Sequence, residues 1–124
     1  MLDENMEPVF IDPRGYFGNT EMYGDPNYDW AKLYYSIVGN YDQFNLKRFR
    51  LTVKEREVEL DIQSNGWEHL EDYYFELLGN EVDRDKIKLI HAIIWLSLTT
   101  YAWEDYDSIC GAFYNGLSYL EEVL

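Results

Sequence analysis

The chain has 124 residues, the size of one domain that buries roughly two-thirds of its unfolded surface. Its 24 acidic residues against 10 basic ones give a formal charge of −14, so we expect neither nucleic acid nor a membrane surface as a partner. The single cysteine, Cys110, excludes an internal disulfide. The sequence shows no signal peptide and no membrane-spanning run. Together with the single cysteine, this predicts a cytoplasmic protein.

The N-terminal part is organised around a predicted strand that ends in Asp12. Residues 1–8 are predicted to be flexible, and residues 9–18 are predicted to form a strand and turn, with Tyr16 and Phe17 as a second short strand. A carboxylate at a strand tip beside a glycine-rich turn is well placed to bind Mg²⁺, which prefers oxygen ligands. Asp12 is therefore the candidate metal ligand, and Arg14 is either a partner for a carboxylate or phosphate or a solvated turn residue.

Asp25 and Pro26 predict the start of a helix, because aspartate accepts hydrogen bonds from free backbone N–H groups and proline fits the first helical position. The helical body is predicted to extend over residues 26–124. Its first apolar stripe consists of Trp30, Leu33, Tyr34, Ile37 and Val38. Gly39 and Asn40 are predicted to end this helix in the left-handed conformation.

Residues of about 48–62 alternate between apolar and polar side chains with period two, which is typical of a β-hairpin. If the segment folds back at Glu55 and Arg56, one face carries the apolar pairs Phe49–Ile62, Leu51–Leu60 and Val53–Val58. The other face carries the charge pairs Arg50–Asp61 and Lys54–Glu57. The pattern predicts a hairpin whose apolar face lies on a helical core.

Three further helices are predicted. The first covers residues 67–78 with Asn65 or Ser64 as its cap, the second runs from Asp85 to about Trp103 after Asp83, and the last follows Asp107 or Ser108 as far as Leu124. The second is apolar nearly all the way round, which places it in the middle of the core. His91, inside it, is interpreted as a hydrogen-bonded core histidine, and His69 as a surface or boundary residue.

Two short motifs resemble those of the kinase-like small-molecule phosphotransferases, the aminoglycoside phosphotransferase and choline kinase type. They are Ile11-Asp12 and Gly24-Asp25-Pro26-Asn27-Tyr28-Asp29-Trp30-Ala31. The resemblance implies ATP and Mg²⁺ as cofactors, with Asp12 as the metal ligand and Asp25 as a weaker second site residue. The patterns above predict an α+β, mostly α fold for residues 1–124 as a single domain, with an N-terminal strand or hairpin and one further β-hairpin. The resemblance implies that this domain is like a kinase C-terminal lobe.

The sequence lacks the other parts that phosphoryl transfer needs, namely a glycine-rich phosphate loop and a His-x-Asp-x-x-x-x-Asn catalytic loop. We therefore predict no catalytic residue and expect the C-terminal portion of an enzyme, inactive as an isolated chain and dependent on a missing N-terminal kinase half. The sequence leaves open whether the chain forms a homodimer. The alternative function is a small acidic binding module, similar to an immunity or antitoxin protein, that covers a basic protein partner. A third alternative is a scaffold in which Asp12 only fixes a turn.

Overall fold

The computed structural model describes residues 1–9, 16–17, 19–21 and 24–124, so the predictions for Asp12 and Arg14 lie outside the described residues. The elements in chain order are β1 (Tyr16–Phe17), β2 (Thr20–Glu21), α1 (Pro26–Ile37), α2 (Tyr41–Asn45), β3 (Phe49–Val53), β4 (Val58–Ile62), α3 (Glu71–Leu78), α4 (Arg84–Leu98) and α5 (Tyr106–Val123). Short 3₁₀ turns at Glu68–Leu70 and Gly79–Glu81 flank α3. The described part of the chain is α+β and mostly helical, which confirms the predicted fold class.

Helix α4 lies at the centre of the core, as its nearly continuous apolar sequence predicts. It packs against α1 on one side and α5 on another, and its Ile87 and Trp95 are fully buried. Where α5 crosses α4, a Cβ added to Gly116 would lie 2.8 Å from Leu96 Cγ. Glycine therefore permits the close packing of these two helices.

An aromatic cluster connects α2 and the β3–β4 hairpin to the helical core. The ring of Phe44 stacks on Phe49 with 4.2 Å between centroids, and it meets Trp95 and Trp103 edge-on at 5.1 Å each. Such ring pairs contribute stability beyond the apolar area that they bury. The sequence does not predict α2, because a helix of this length is too short to show periodicity.

The β3–β4 hairpin has the predicted register, with Phe49 opposite Ile62, Leu51 opposite Leu60 and Val53 opposite Val58. At its tip, Lys54 Nζ lies 3.2 Å from Glu57 Oε1 and 2.6 Å from Glu59 Oε1. Strand β4 lies on α5. The alternation in the sequence was sufficient to predict the register, because a slip of one residue would move every apolar side chain from the buried face to the exposed one.

The ends of the first helices correct one prediction and confirm another. Asn40 is in the left-handed conformation with φ +55°, as predicted, whereas Gly39 is not. Gly39 is instead required by the close approach of neighbouring atoms. Helix α3 begins at Glu71, later than predicted, because the first turn of the segment is 3₁₀.

The last two helices also differ in detail from the prediction. Asp83 caps α4 as expected, but α4 ends at Leu98 and not near Trp103. The Thr99 and Thr100 hydroxyls donate to carbonyls three residues earlier, at 2.7 and 2.8 Å, and such bonds compete with helical hydrogen bonding. The cap of α5 is Asp105, so the prediction of Asp107 or Ser108 is wrong: the helix begins earlier, at Tyr106.

The N-terminal segment contains two local pairings among its described residues. Strands β1 and β2 are antiparallel, with Tyr16 opposite Glu21, which confirms the predicted short strand at Tyr16 and Phe17. Before them, Leu2 forms an isolated bridge with Pro8. Asp3 Oδ1 accepts hydrogen bonds from backbone N–H groups of the same turn.

The Asn65 side chain joins the segment after the hairpin to the end of α1. Its Nδ2 donates to the Ser36 carbonyl at 2.7 Å, and its Oδ1 accepts from the Trp67 N–H at 2.7 Å. The carbonyls of a last helical turn have no partner inside the helix, so this amide satisfies one that would otherwise need water.

Replacing Asn65 with alanine is expected to lower the free energy of unfolding by about 2 kcal/mol, because partly buried backbone groups lose their partners. Urea denaturation would measure the change. The matched control is Asn80→Ala, at an exposed position, for which we expect a change of no more than about 0.5 kcal/mol. Equal effects of the two substitutions would contradict the structural role of Asn65.

Candidate functional site

The predicted metal ligand, Asp12, lies outside the described residues, so its role stays a prediction. Within the described ranges, no group of three or more His, Cys, Asp or Glu residues is arranged to hold a metal ion. The candidate magnesium ligand of this chain is therefore still the one that the sequence predicts, Asp12.

Asp25, the second site residue of the sequence prediction, is occupied by structural contacts. Its Oδ1 accepts hydrogen bonds from the Asn27 backbone N–H at 2.9 Å and from Asn27 Nδ2 at 2.8 Å. Its Oδ2 lies 2.6 Å from Lys86 Nζ. The contact with Lys86, followed by those with Asn27, lowers the pKa of Asp25 to about 2. Asp25 is therefore an ionised helix cap that connects α1 to the start of α4.

His91 is fully buried in an aromatic cage, which confirms its interpretation as a core histidine. Its ring contacts Tyr34 and Tyr119 edge-on, with centroid distances of 4.8 and 4.5 Å. The Trp95 indole N–H donates to His91 Nε2 at 3.0 Å, so Nδ1 carries the proton and lies buried without a hydrogen-bond partner among the described residues. Burial lowers the pKa of His91 to about 3, which keeps the ring neutral at physiological pH.

A groove of about 360 Å³ runs between α1 and α4, and we call it the α1–α4 groove. Its lining residues are Asp25, Tyr28, Lys32, Lys86, Ile90, Ile93, Ile94, Ser97 and Tyr101. The Asp25–Lys86 ion pair lies at one end. At the other end, Lys32 Nζ lies 4.2 Å from the centroid of the Tyr35 ring. The groove is thus mostly apolar, with charged groups at its ends.

A second cleft, of about 520 Å³, lies between the tip of the β3–β4 hairpin and α5. Exposed Tyr114 and Leu117 of α5 line one wall, and the hairpin tip forms the other. Lys54 pairs within the hairpin with Glu57 and Glu59. Several charged groups of this cleft are therefore paired with each other within the hairpin.

A polar contact joins the segment just after α2 to the start of α5. It consists of Lys47, Asp105 and Ser108. Lys47 Nζ lies 2.6 Å from Asp105 Oδ1 and also donates to the buried Ser108 hydroxyl. The bond from Lys47 holds the pKa of Asp105 well below its usual range. Asp105 is the cap of α5 and pairs with Lys47, so this group is explained as a helix cap joined to the end of α2.

Sequence reasoning missed Lys32, Lys86 and Tyr101 as possible site residues. On α4, the groove residues Lys86, Ile90, Ile93 and Ser97 recur at helical spacing, which is a signal that the sequence carries. The pairing of Lys86 with Asp25 is not such a signal, because it depends on how α1 and α4 pack.

Comparisons with protein-family models, with curated proteins and with solved structures found no match for this chain. In the part of the chain that the structure describes, no helix has the length and apolar character needed to cross a membrane.

Proposed function

We propose that the chain is the C-terminal portion of an ATP- and Mg²⁺-dependent small-molecule phosphotransferase and that it is inactive as an isolated chain. The sequence motifs Ile11-Asp12 and Gly24-Asp25-Pro26 are the basis of the proposal. The structural observation that supports it best is the helix start at Asp25, where the aspartate caps α1 and Pro26 occupies its first turn, as the resemblance implies. Asp29 follows in that first turn.

In this proposal Asp12 holds Mg²⁺, and the helices after it form the side that receives the acceptor. Mg²⁺ commonly binds to one or two carboxylates and to nucleotide phosphates, so a single aspartate is compatible with a shared site. The phosphate-binding and catalytic loops would come from the N-terminal kinase half. The acidic composition suits a cationic or polyhydroxylated acceptor such as an aminoglycoside, an amino alcohol or a sugar. The single cysteine favours a cytoplasmic location.

The test is calorimetric titration of the chain with Mg²⁺ and ATP, first for the unmodified protein and then for Asp12→Ala. We expect binding that weakens at least about tenfold in the variant, which corresponds to 1.4 kcal/mol. Asp3→Ala is the matched control, because Asp3 is an exposed aspartate in a local turn. The proposal fails if Mg²⁺ and ATP do not bind, or if both variants bind as the unmodified chain does.

A second candidate, the acidic module that covers a basic protein, is supported by exposed apolar residues on α1 and α3. These helices are joined by the Tyr74 hydroxyl, which donates to the Trp30 carbonyl at 2.6 Å. Trp30 and Leu33 on α1, with Tyr73 and Leu77 on α3, are exposed. The exposed carboxylates on the same helices are Asp29, Asp72 and Glu76. Aromatic anchors among charges of one sign are typical of surfaces that bind a partner of opposite charge.

The two candidates give opposite results with two variants. If the module reading is correct, Asp12→Ala leaves divalent-ion binding unchanged, whereas Asp72→Lys abolishes a complex with a basic protein. Under the phosphotransferase proposal, Asp12→Ala weakens the binding of Mg²⁺ and ATP, and Asp72→Lys leaves that binding unchanged.

A further inference from the structure

Helix α5 exposes most of its large apolar side chains and buries small ones. Its fully buried residues are Ser108, Gly111, Ala112 and Gly116. Among its large side chains, Tyr119 packs on the core. The ones that are 40 to 74% exposed are Tyr106, Phe113, Tyr114 and Leu117, and we call them the α5 outer face. Because a helix that only packs on a core carries its large apolar residues on the buried side, α5 has a second apolar face that the core does not use.

The residues of the α5 outer face form a row along the helix. Tyr106, Phe113 and Leu117 are seven and four positions apart, which places them on one side of α5 over about three turns. The rings of Phe113 and Tyr114 lie edge-on in the middle of the row, with 5.4 Å between their centroids. Such a row fits a second helix, whose own apolar side chains pack between those of the first.

The charges on α5 itself are all negative. The helix contains no lysine and no arginine. Its carboxylates Asp107 and Glu121 lie seven positions before and after Tyr114, so both border the same edge of the α5 outer face. Neither carboxylate forms an ion pair among the described residues. A partner that covers the apolar row therefore meets two uncompensated negative charges at this edge.

The cleft of about 520 Å³ at the hairpin tip adjoins this edge, and Glu121 is one of its lining residues. Of the charged residues that the hairpin contributes, Lys54 and Glu57 are paired with each other. Glu55 and Arg56 form no ion pair within the described ranges. The unpaired charges of the cleft are thus two carboxylates and one guanidinium group, which leaves an acidic excess.

We propose that the α5 outer face binds an amphipathic helix of a basic protein partner. The apolar stripe of that helix packs on Phe113 and Leu117, and its lysine or arginine side chains lie beside Asp107 and Glu121. A second copy of this chain is disfavoured, because two paired α5 helices would bring carboxylates together without a basic residue of α5 to offset them. The inference goes beyond both candidate functions, since it requires neither Mg²⁺ and ATP nor the exposed residues of α1 and α3.

The probe is a synthetic peptide of leucine and lysine with the length of α5, 18 residues, whose leucines form one helical stripe. Its controls are a scrambled peptide of the same composition and a striped peptide with glutamate in place of lysine. Calorimetry at about 0.15 M salt, below the concentration at which the peptides self-associate, would measure binding. We expect the striped lysine peptide to bind at least about tenfold more tightly than either control, because only this peptide matches both the row and its charge.

Substitutions in α5 locate the binding surface. Phe113→Gln and Leu117→Gln are each expected to weaken binding of the striped peptide at least about tenfold, because the buried apolar contact is lost. Both positions are exposed, so the fold should be retained, which circular dichroism would verify. The matched control is Leu77→Gln, at an exposed leucine of α3, which should bind the peptide like the unmodified chain.

The charge requirement has its own pair of variants. Asp107→Asn combined with Glu121→Gln is expected to weaken binding about fivefold, because two exposed ion pairs are lost. Asp72→Asn, at an exposed carboxylate of α3, should leave binding unchanged.

Four results would overturn the proposal. The first is that the striped lysine peptide does not bind, and the second is that the scrambled or glutamate peptide binds equally well. The third is that Leu77→Gln weakens binding as much as Phe113→Gln does. The fourth is a dimer of the unmodified chain that Phe113→Gln converts to a monomer in sedimentation, since a second copy would then occupy the face.

Discussion

Replacing Gly39 with alanine is expected to lower the free energy of unfolding by about 3 kcal/mol, which is the upper part of the range for overpacked sites. A Cβ at this position would lie 2.6 Å from the Tyr35 carbonyl oxygen and 2.7 Å from His91 Nε2. Trp95 Nε1 would be 3.3 Å away. The added methyl group therefore meets atoms on two sides at distances that non-bonded atoms do not adopt.

The atoms around Gly39 cannot move away from an added methyl group without a large cost in free energy. The Tyr35 oxygen belongs to the backbone of α1, so no side-chain rotation moves it. His91 and Trp95 are both fully buried and hold each other through the hydrogen bond from the indole to Nε2. Displacing either ring would break that bond or open a void in close-packed surroundings.

Thermal and urea denaturation of Gly39→Ala would measure the effect, and a loss of 3 kcal/mol corresponds to a decrease in Tm of about 10 °C for a domain of this size. Gly79→Ala is the control, because Gly79 has φ +70° and no neighbouring atom within 4 Å of an added Cβ. It carries only backbone strain, about 1 to 3 kcal/mol, because φ +70° with ψ −161° is a combination that almost only glycine adopts. A cost for Gly39→Ala of less than about 1 kcal/mol would contradict the steric account.

Gly39 and its neighbour Asn40 show what the sequence could and could not predict. Gly39 followed by Asn40 is typical of a helix end, and the end was located correctly. The pattern assigned the left-handed conformation to both residues, but only Asn40 adopts it. The need for glycine at 39 arises from His91 and Trp95, which are distant in sequence and reach this position only through the packing of α4.

The hairpin and the helices were largely predictable because their patterns depend on neighbouring residues. The alternation of Phe49, Leu51 and Val53 already determined which side chains face the core, and the register followed from it. The exact ends of α4 and α5 were less predictable. They depend on local competition for hydrogen bonds, such as that of the Thr99 hydroxyl with the helix.

The candidate site residues also divide into those that a local sequence pattern indicates and those that only tertiary packing brings together. The sequence singled out Asp12 and Asp25 because each has a recognisable local context, and Asp25 is indeed a helix cap. The contact of Asp25 with Lys86 and the position of Lys32 over the Tyr35 ring result from the tertiary packing of α1 and α4. No local pattern indicates the α1–α4 groove as a whole, since its two walls come from separate segments.

The stability of the protein is expected to decrease as the pH falls from 6.5 towards 3, because His91 stays neutral in the folded state. Its pKa is lowered to about 3 by burial, whereas an exposed histidine has a value of 6.5. Between these values the unfolded chain binds a proton that the folded chain does not, so the stabilisation is complete above pH 6.5 and is lost on acidification. The expected slope is about 1.4 kcal/mol for each pH unit.

The groups that surround His91 do not compensate for this loss. Tyr34, Tyr35 and Tyr119 face it, and all three phenols have a raised pKa from burial, so they are neutral throughout the acidic range. Asp25 also loses its stabilising charge on acidification, but its pKa is lowered from 3.8 to about 2, so its effect appears below pH 3.8. Glu68 also has a lowered pKa, from an ordinary value of 4.5, so the interval from pH 6.5 to about 5 reports on His91.

His91→Gln separates this titration from the packing role of the ring. Glutamine does not titrate, and its side-chain oxygen can accept the hydrogen bond from the Trp95 indole. Urea denaturation between pH 4 and 8 should show the slope for the unmodified chain and for the control His69→Gln, an exposed histidine. The slope should be nearly absent for His91→Gln. If His91→Gln kept the full slope, the loss of stability would belong to other groups and His91 would not be a neutral core residue.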